Sequence, residues 1–214
     1  MNLSGIDLVA ALAAITGVWM CGVTRLHSLI WILALQTGVL GVVTALVGVE
    51  HASAHYCVLS AGVIVIKALA IPWFLDYTAG RVGARRDLGA ILHPTLAQFT
   101  AIGALAASFF LAGQIAPPHT TAPGAAGMAL CLLLVGMLLM LTRRLAISQV
   151  IGFLVLENGI FLYALTQTQG IPLMVEMGIL LDVLVGVMIA GVVIFRLNRS
   201  FEHIDVTQLR GLKD

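Results

Sequence analysis

The sequence predicts an all-α integral membrane protein of about seven transmembrane helices, with its N-terminus outside and its C-terminus in the cytoplasm. Composition is the first reason: 60% of the 214 residues are hydrophobic, 10% are charged and the mean hydropathy is +1.07. A water-soluble domain carries far more charge. Length is the second reason, because a span needs roughly 20 apolar residues and the chain has room for about seven. A net charge of +1 without a basic surface argues against nucleic-acid binding.

Seven apolar runs follow one another along the chain, each close to the length that a bilayer-spanning helix requires. Short polar connections separate them and contain helix breakers, among them Pro117, Pro118 and Pro123. Helices are expected because an open strand would leave backbone groups unpaired in hydrocarbon. The runs cover residues 6–23, 28–49, 56–75, 91–115, 124–141, 145–167 and 172–195.

The basic residues predict the orientation of the spans. Ten of the 11 Lys and Arg residues lie on alternate connections or in the C-terminal tail, all on one side of the predicted bundle. Because basic residues favour the cytoplasmic side, we expect a multi-pass protein of the inner (cytoplasmic) membrane. The ten are Arg25, Arg81, Arg85, Arg86, Arg143, Arg144, Arg196, Arg199, Arg210 and Lys213.

Four ionisable residues lie well inside the predicted spans: Lys67 in the third, Glu157 in the sixth, and Glu176 and Asp182 in the seventh. A charge near the bilayer centre costs at least about 2.5–3.5 kcal/mol, so such residues indicate function. With a rise of ~1.5 Å per residue, Lys67, Glu157 and Asp182 fall roughly 20 Å from the cytoplasmic boundary. We therefore expect these three near one plane, with Glu176 closer to the outer end.

Acids and amines buried at one depth can exchange protons near neutral pH. Bridged by water and by polar side chains such as Gln36 and Gln149, they predict a lateral proton path. A static Lys67–Glu157 or Lys67–Asp182 ion pair that fixes helix packing is the alternative. The histidines lie at span ends or in connections, and no catalytic motif occurs, so we expect no metal, cofactor or catalytic site in this chain.

Two C-terminal stretches carry a resemblance to a known family. They are RRLAISQVIGFLVLENGIFLYAL, from Arg143, and EMGILLDVLVGVMIAGVVIFRLNRSFEHIDVTQLRGLKD, from Glu176. Together they resemble subunit K of NADH-quinone oxidoreductase and the small subunit of Mrp-type cation/proton antiporters. The match divides the chain into a four-helix N-terminal transmembrane region, residues 1–123, and a subunit-K-like three-helix region with a cytoplasmic tail, residues 124–214. With the four preceding helices, the whole chain resembles hydrogenase-4 component E.

The resemblance implies roles for two acids, because Glu157 and Asp182 match the carboxylates of the middle and last helices of subunit K. Lys67 has no counterpart there. It also implies a non-catalytic membrane-arm subunit of a complex-I-like, formate-hydrogenlyase-type hydrogenase that translocates protons or Na+. The alternatives are an Mrp-type antiporter subunit, an independent proton-coupled transporter and a purely structural assembly subunit.

The resemblance implies partners as well. In the membrane they are lipid, antiporter-like subunits, and a subunit similar to the one that anchors the soluble redox module of quinone oxidoreductase. Outside the membrane the expected partner is a soluble hydrogenase module that carries nickel–iron and iron–sulfur centres.

Overall fold

The computed structural model describes residues 5–50, 60–82, 91–115, 123–167 and 186. As the sequence predicts, these residues form helices and no β-sheet, and six of the helices are long and apolar enough to cross a membrane. The predicted seventh span, residues 172–195, lies outside the described residues apart from Gly186. The helices are α1 Gly5–Gly22, α2 Leu26–Glu50, α3 residues 60–82, α4 Pro94–Ile115, α5 Pro123–Thr142 and α6 Ala146–Gln167.

The third helix differs most from the prediction, which ended its apolar run at residue 75 and placed Asp76 in a connection. Here α3 continues to Val82, and it consists of a π-helical segment, Val63–Ala70, followed by an α-helical part, Ile71–Val82. The backbone N–H of Ile71 donates to the carbonyl of Ile66, five residues back. Pro72 follows at once, and because proline has no N–H it cannot close an α-type hydrogen bond to the preceding turn.

Four helices, α1, α2, α5 and α6, form the core of the described bundle. The third helix packs along α2, and α4 packs against α1 and α5. In these two outer helices only 28% and 22% of the apolar stretch is buried, against 67% in α6. Their outer surfaces carry large apolar side chains such as Trp73, Phe99 and Phe110, as expected of helices that face lipid.

The α5–α6 hairpin is held by direct backbone contact at three glycines. A Cβ atom added to Gly152 would lie 2.8 Å from the backbone nitrogen of Met140, and one added to Gly159 would lie 2.8 Å from the carbonyl oxygen of Ala129. A Cβ atom on Gly136 would meet the backbone of Leu156 and Gly152. Small residues that let helix backbones touch are typical of membrane bundles, where close packing replaces the hydrophobic effect as the source of helix association.

Charged side chains clamp α1 to α5 at both ends. Near the N-terminal end, the buried carboxylate of Asp7 accepts a hydrogen bond of 3.0 Å from the backbone N–H of Ala125, in the first turn of α5. At the opposite end, Nη2 of Arg143 donates to the carbonyls of Cys21 and Val23 at 3.0 and 2.9 Å. Each contact places a charge that complements the helix dipole. Burial lowers the pKa of the Arg143 guanidinium.

Candidate functional site

Lys67 and Glu157 form a buried ion pair between α3 and α6. The Nζ atom of Lys67 lies 2.9 Å from Oε1 of Glu157, and the two side chains are 9% and 5% exposed. Glu157 is the twelfth of the 22 residues of α6, so the pair lies near the middle of that helix. The structure thus brings together two of the three residues that the sequence places at one depth.

Phe161 provides a second contact for the lysine. It lies four residues after Glu157 on the same face of α6, and the Nζ atom of Lys67 is 5.8 Å from the centroid of its ring. A cation over an aromatic face within about 6 Å is attracted by the negative face of the ring. The ammonium therefore contacts a carboxylate and an aromatic ring of one helix.

An amide layer, made of Asn158, Gln36 and Thr37, lies beside the ion pair. The Nδ2 atom of Asn158 donates to Oε1 of Gln36 at 3.2 Å and to Oγ1 of Thr37 at 3.1 Å. The Nε2 atom of Gln36 donates to the carbonyl of Ala13 at 3.1 Å, which extends the layer to α1. All three side chains are buried, so the amide layer ties α6, α2 and α1 together inside the bundle.

The contacts between α2 and α3 set the height of Lys67. The hydroxyl of Ser60 donates to the carbonyl of Gly41 at 2.9 Å, and the side chain of Ile64 lies against Gly41. Ile64 and Gly41 mark one level, and consecutive spanning helices run antiparallel. Lys67 comes three residues after Ile64 in α3, and Thr37 comes four residues before Gly41 in α2, so Lys67 and Thr37 lie at nearly the same level. The ion pair and the amide layer therefore share one level of the bundle.

The weaker predicted site residues have different positions. Gln36 belongs to the amide layer, whereas Nε2 of Gln149 donates to the carbonyl of Arg143 at 3.0 Å. Gln149 precedes Glu157 by eight residues, or about 12 Å along the helix, so the structure does not bring it to the pair. Glu176 and Asp182 lie outside the described residues. Within the described parts of the chain, no group of three His, Cys, Asp or Glu residues could hold a metal ion.

Sequence reasoning missed several residues that the structure connects to the site or the bundle. Asn158 gave a visible signal, because an amide in the middle of an apolar run must find partners away from lipid. Asp7 gave a similar one as the second residue of the first apolar run. Thr37 and Phe161 gave none, because threonine and phenylalanine are ordinary residues of membrane helices.

The ion pair and the amide layer differ in their chemistry, because the side chains of the pair can change charge and those of the amide layer cannot. Among Lys67, Glu157 and the amide layer, only the lysine and the glutamate titrate. Their pair is neutral overall, which makes it tolerable in the bundle, and removing one partner would leave the other as an uncompensated buried charge. Among the described residues of this level, these two side chains are therefore the ones whose charge a proton can change.

The chain is similar in sequence to known proteins along nearly its whole length. An uncharacterized protein of Mycobacterium tuberculosis is 32% identical over 207 residues, which cover 95% of this chain and 92% of that protein. Hydrogenase-4 component E of Escherichia coli K12 and that of Shigella flexneri are each 24% identical over 209 residues, with 97% of both chains covered. No protein-family model and no solved structure matches the chain. Since the similarity runs along the whole length, the chain belongs to the hydrogenase-4 component E family.

Proposed function

We propose that this chain is a multi-pass subunit in the membrane arm of a complex-I-like hydrogenase, and that Lys67 and Glu157 change protonation during proton or Na+ translocation. The chain contributes no catalytic group of its own under this proposal. Nickel–iron and iron–sulfur chemistry belongs to a soluble hydrogenase module, and the membrane partners are antiporter-like chains and the subunit that anchors this module. The membrane is the inner (cytoplasmic) membrane, and Asp182 of the subunit-K-like region joins the same path.

The Lys67–Glu157 ion pair is the observation that supports this function best. Taking two ions out of water is costly, and replacing a buried ion pair by apolar side chains of similar volume is often neutral or stabilising. Helix packing alone therefore gives little reason to keep these charges at mid-membrane depth. A pair that must change its protonation state gives a direct reason, because no apolar substitute can do so.

The purely structural role is favoured by a specific observation as well. The lysine is fully engaged by the carboxylate of Glu157 at 2.9 Å and the ring of Phe161 at 5.8 Å, both on one neighbouring helix. Such an arrangement could serve only to join α3 to α6. The two roles differ in what they require of the pair, since a joint needs complementary shapes whereas translocation needs groups that titrate.

A double substitution separates the two roles. In the complex purified from the native host, Lys67→Met with Glu157→Leu keeps the volume of the pair and removes both charges. We expect the complex to assemble with unchanged or higher stability, because the desolvation cost disappears. We expect ion translocation per hydrogen turned over, measured in inverted membrane vesicles, to fall by about tenfold or more, within the usual range of coupling energies. Glu157→Leu alone should instead destabilise the subunit by about 3–5 kcal/mol, because Lys67 remains charged.

Thr44→Val is the matched control for this experiment. Thr44 is buried in α2, and its hydroxyl donates to the carbonyl of Leu40 in its own helix at 2.9 Å. This substitution also removes a buried polar group, but the hydroxyl makes its hydrogen bond within one helix. Translocation should therefore stay at the wild-type level. Normal translocation in the assembled double variant would contradict the proposed function and leave the structural role.

Purification of the tagged chain tests the assembly itself. Under the proposal, a hydrogenase large subunit and antiporter-like chains co-purify with it, and the preparation contains nickel and iron. Co-purification with antiporter chains and no redox subunit would favour an Mrp-type antiporter instead. A chain that purifies alone and transports protons by itself would favour an independent transporter.

A further inference from the structure

The two partners of the Lys67–Glu157 pair lie on helices that are constrained to different degrees. Glu157 is carried by α6, whose backbone touches that of α5 at Gly136 and Gly152. The next residue, Asn158, is hydrogen-bonded to Gln36 and Thr37 of α2. A rotation of α6 that moved Glu157 would break both the backbone contacts and the amide layer. Glu157 is therefore fixed in the direction it faces.

Lys67 is carried by a less constrained element. It lies within the π-helical segment Val63–Ala70, on a helix whose packing among the described residues is mainly against α2. A π-type hydrogen bond joins residues five apart, whereas an α-type bond joins residues four apart, so the segment holds one residue more than the same stretch of α-helix would. Such segments inside α-helices are frequent at functional sites. Pro72 adds to this, because it leaves a carbonyl of the preceding turn without its α-type donor.

We infer that Lys67 is the moving partner of the pair and Glu157 the stationary one, with Val63–Ala70 as the hinge and Asn158 as the residue that positions Glu157. The inference rests on the proposed function and names the element that moves. When the extra residue of the π-helical segment moves along the helix, each side chain that it passes turns by about 100° around the helix axis. A turn of that size carries the ammonium of Lys67 away from Glu157 and Phe161, while the rest of α3 stays in place.

Deletion of one residue tests the hinge directly. Val65 lies in the π-helical segment and is 58% exposed, so its removal takes away little packing. Without it the segment can close as an α-helix, and both flanks of α3 keep their contacts with α2. We expect this deletion to permit assembly and redox turnover, and to lower ion translocation per turnover by about fivefold or more.

A second variant acts on the same hinge without changing the chain length. Pro72→Ala restores a backbone N–H that can bond to the carbonyl four residues back, which favours α-type bonding at this end of the segment and opposes movement of the extra residue there. We expect the same direction of change, lower translocation at retained redox turnover. Deletion of Val42 is the matched control, because Val42 is 47% exposed but lies in the regular helix α2. Its loss should turn half of α2 by about 100° and prevent assembly.

The outcomes separate the hinge from the function on which it rests. If the Val65 deletion fails to assemble, as the Val42 deletion should, then the π-helical segment does not contain an extra residue that the helix can lose, and the hinge is refuted. Wild-type translocation in either the Val65 deletion or Pro72→Ala would overturn the idea that Lys67 must move. If Lys67→Met with Glu157→Leu also translocates normally, the proposed function itself fails. If that double variant loses translocation while the hinge variants keep it, only the hinge is refuted.

Discussion

The hairpin of α5 and α6 and the helix α3 show two ways of building a membrane helix bundle. The hairpin is packed backbone against backbone at three glycines and is tied to α1 by Asp7 and Arg143. The third helix has no such glycine contact with α6 among the described residues and reaches it through the side chain of Lys67. Its apolar stretch is 28% buried, against 67% for α6. Of the two helices that share the ion pair, α6 is therefore the more constrained and α3 the less constrained.

The difference shows where a buried charge can move. A carboxylate on a fixed helix keeps its direction, so its proton affinity depends on what approaches it. An ammonium on a π-helical segment can approach or withdraw, and the environment of the carboxylate changes with it. One fixed and one mobile partner are enough for alternation between a paired and an unpaired state. The hairpin and α3 supply one of each.

The glycine contacts of the hairpin should give the largest effect on stability. Gly136→Ala places a Cβ atom against the backbone of Leu156 and 2.7 Å from the carbonyl oxygen of Gly152, where no flexible side chain can give way. We expect a loss of about 3 kcal/mol in the free energy of unfolding, measured by denaturant titration of the subunit in bicelles.

Gly103→Ala is its matched control, because a Cβ atom at Gly103 of α4 would have nothing within 4 Å. Alanine has the higher helix propensity by about 1 kcal/mol, so this variant should be equal to or slightly more stable than the wild type. Equal losses in both variants would mean that the hairpin is not held by its glycines.

The clamp at the end of α1 should give the next largest effect. Arg143→Gln replaces a charged donor to the carbonyls of Cys21 and Val23 by a neutral one, and a hydrogen bond to a charged group contributes about 1.5–3 kcal/mol against about 1 kcal/mol for a neutral one. We expect a loss of about 2 kcal/mol in the same titration. The neighbouring Arg144 is exposed, so Arg144→Gln should change stability by less than about 0.5 kcal/mol. Both variants remove one basic residue, so an equal effect would point to net charge and contradict the clamp.

The helices could be predicted from the sequence because lipid demands long apolar runs, and no other element satisfies the backbone there. The five described runs other than the third agree with the observed helices to within a few residues. The run ending at residue 75 failed because hydropathy falls at Asp76 while the helix continues to Val82. The π-helical segment could not be foreseen either, since its cause is a competition between local hydrogen-bonding patterns around Pro72.

The sequence predicts how deep in the membrane each site residue lies, but not which way its side chain faces around the helix axis. The rise per residue was enough to place Lys67 and Glu157 at one level. Which acid the lysine meets depends on how each helix is turned about its axis, and packing decides that. Gln36 and Gln149 illustrate the point, because both are amides in or beside apolar runs and only Gln36 lies in the layer beside the pair. The sequence marks Arg143 only as one more cytoplasmic charge, although the structure buries it against the end of α1.

The smallest effect is expected at an exposed contact between α2 and α3. The Nδ1 atom of His27 lies 2.9 Å from Oδ1 of Asp76, with side chains 60% and 34% exposed. Trp31 donates to Nε2 of His27 at 3.0 Å, so both ring nitrogens have a hydrogen-bond partner. Contacts of this exposure contribute little, so Asp76→Asn should lower stability by less than about 0.5 kcal/mol and leave translocation unchanged. A loss above about 1.5 kcal/mol would contradict the small contribution expected of an exposed contact, and would leave the hinge untouched, since Asp76 lies in the flank of α3 that stays in place.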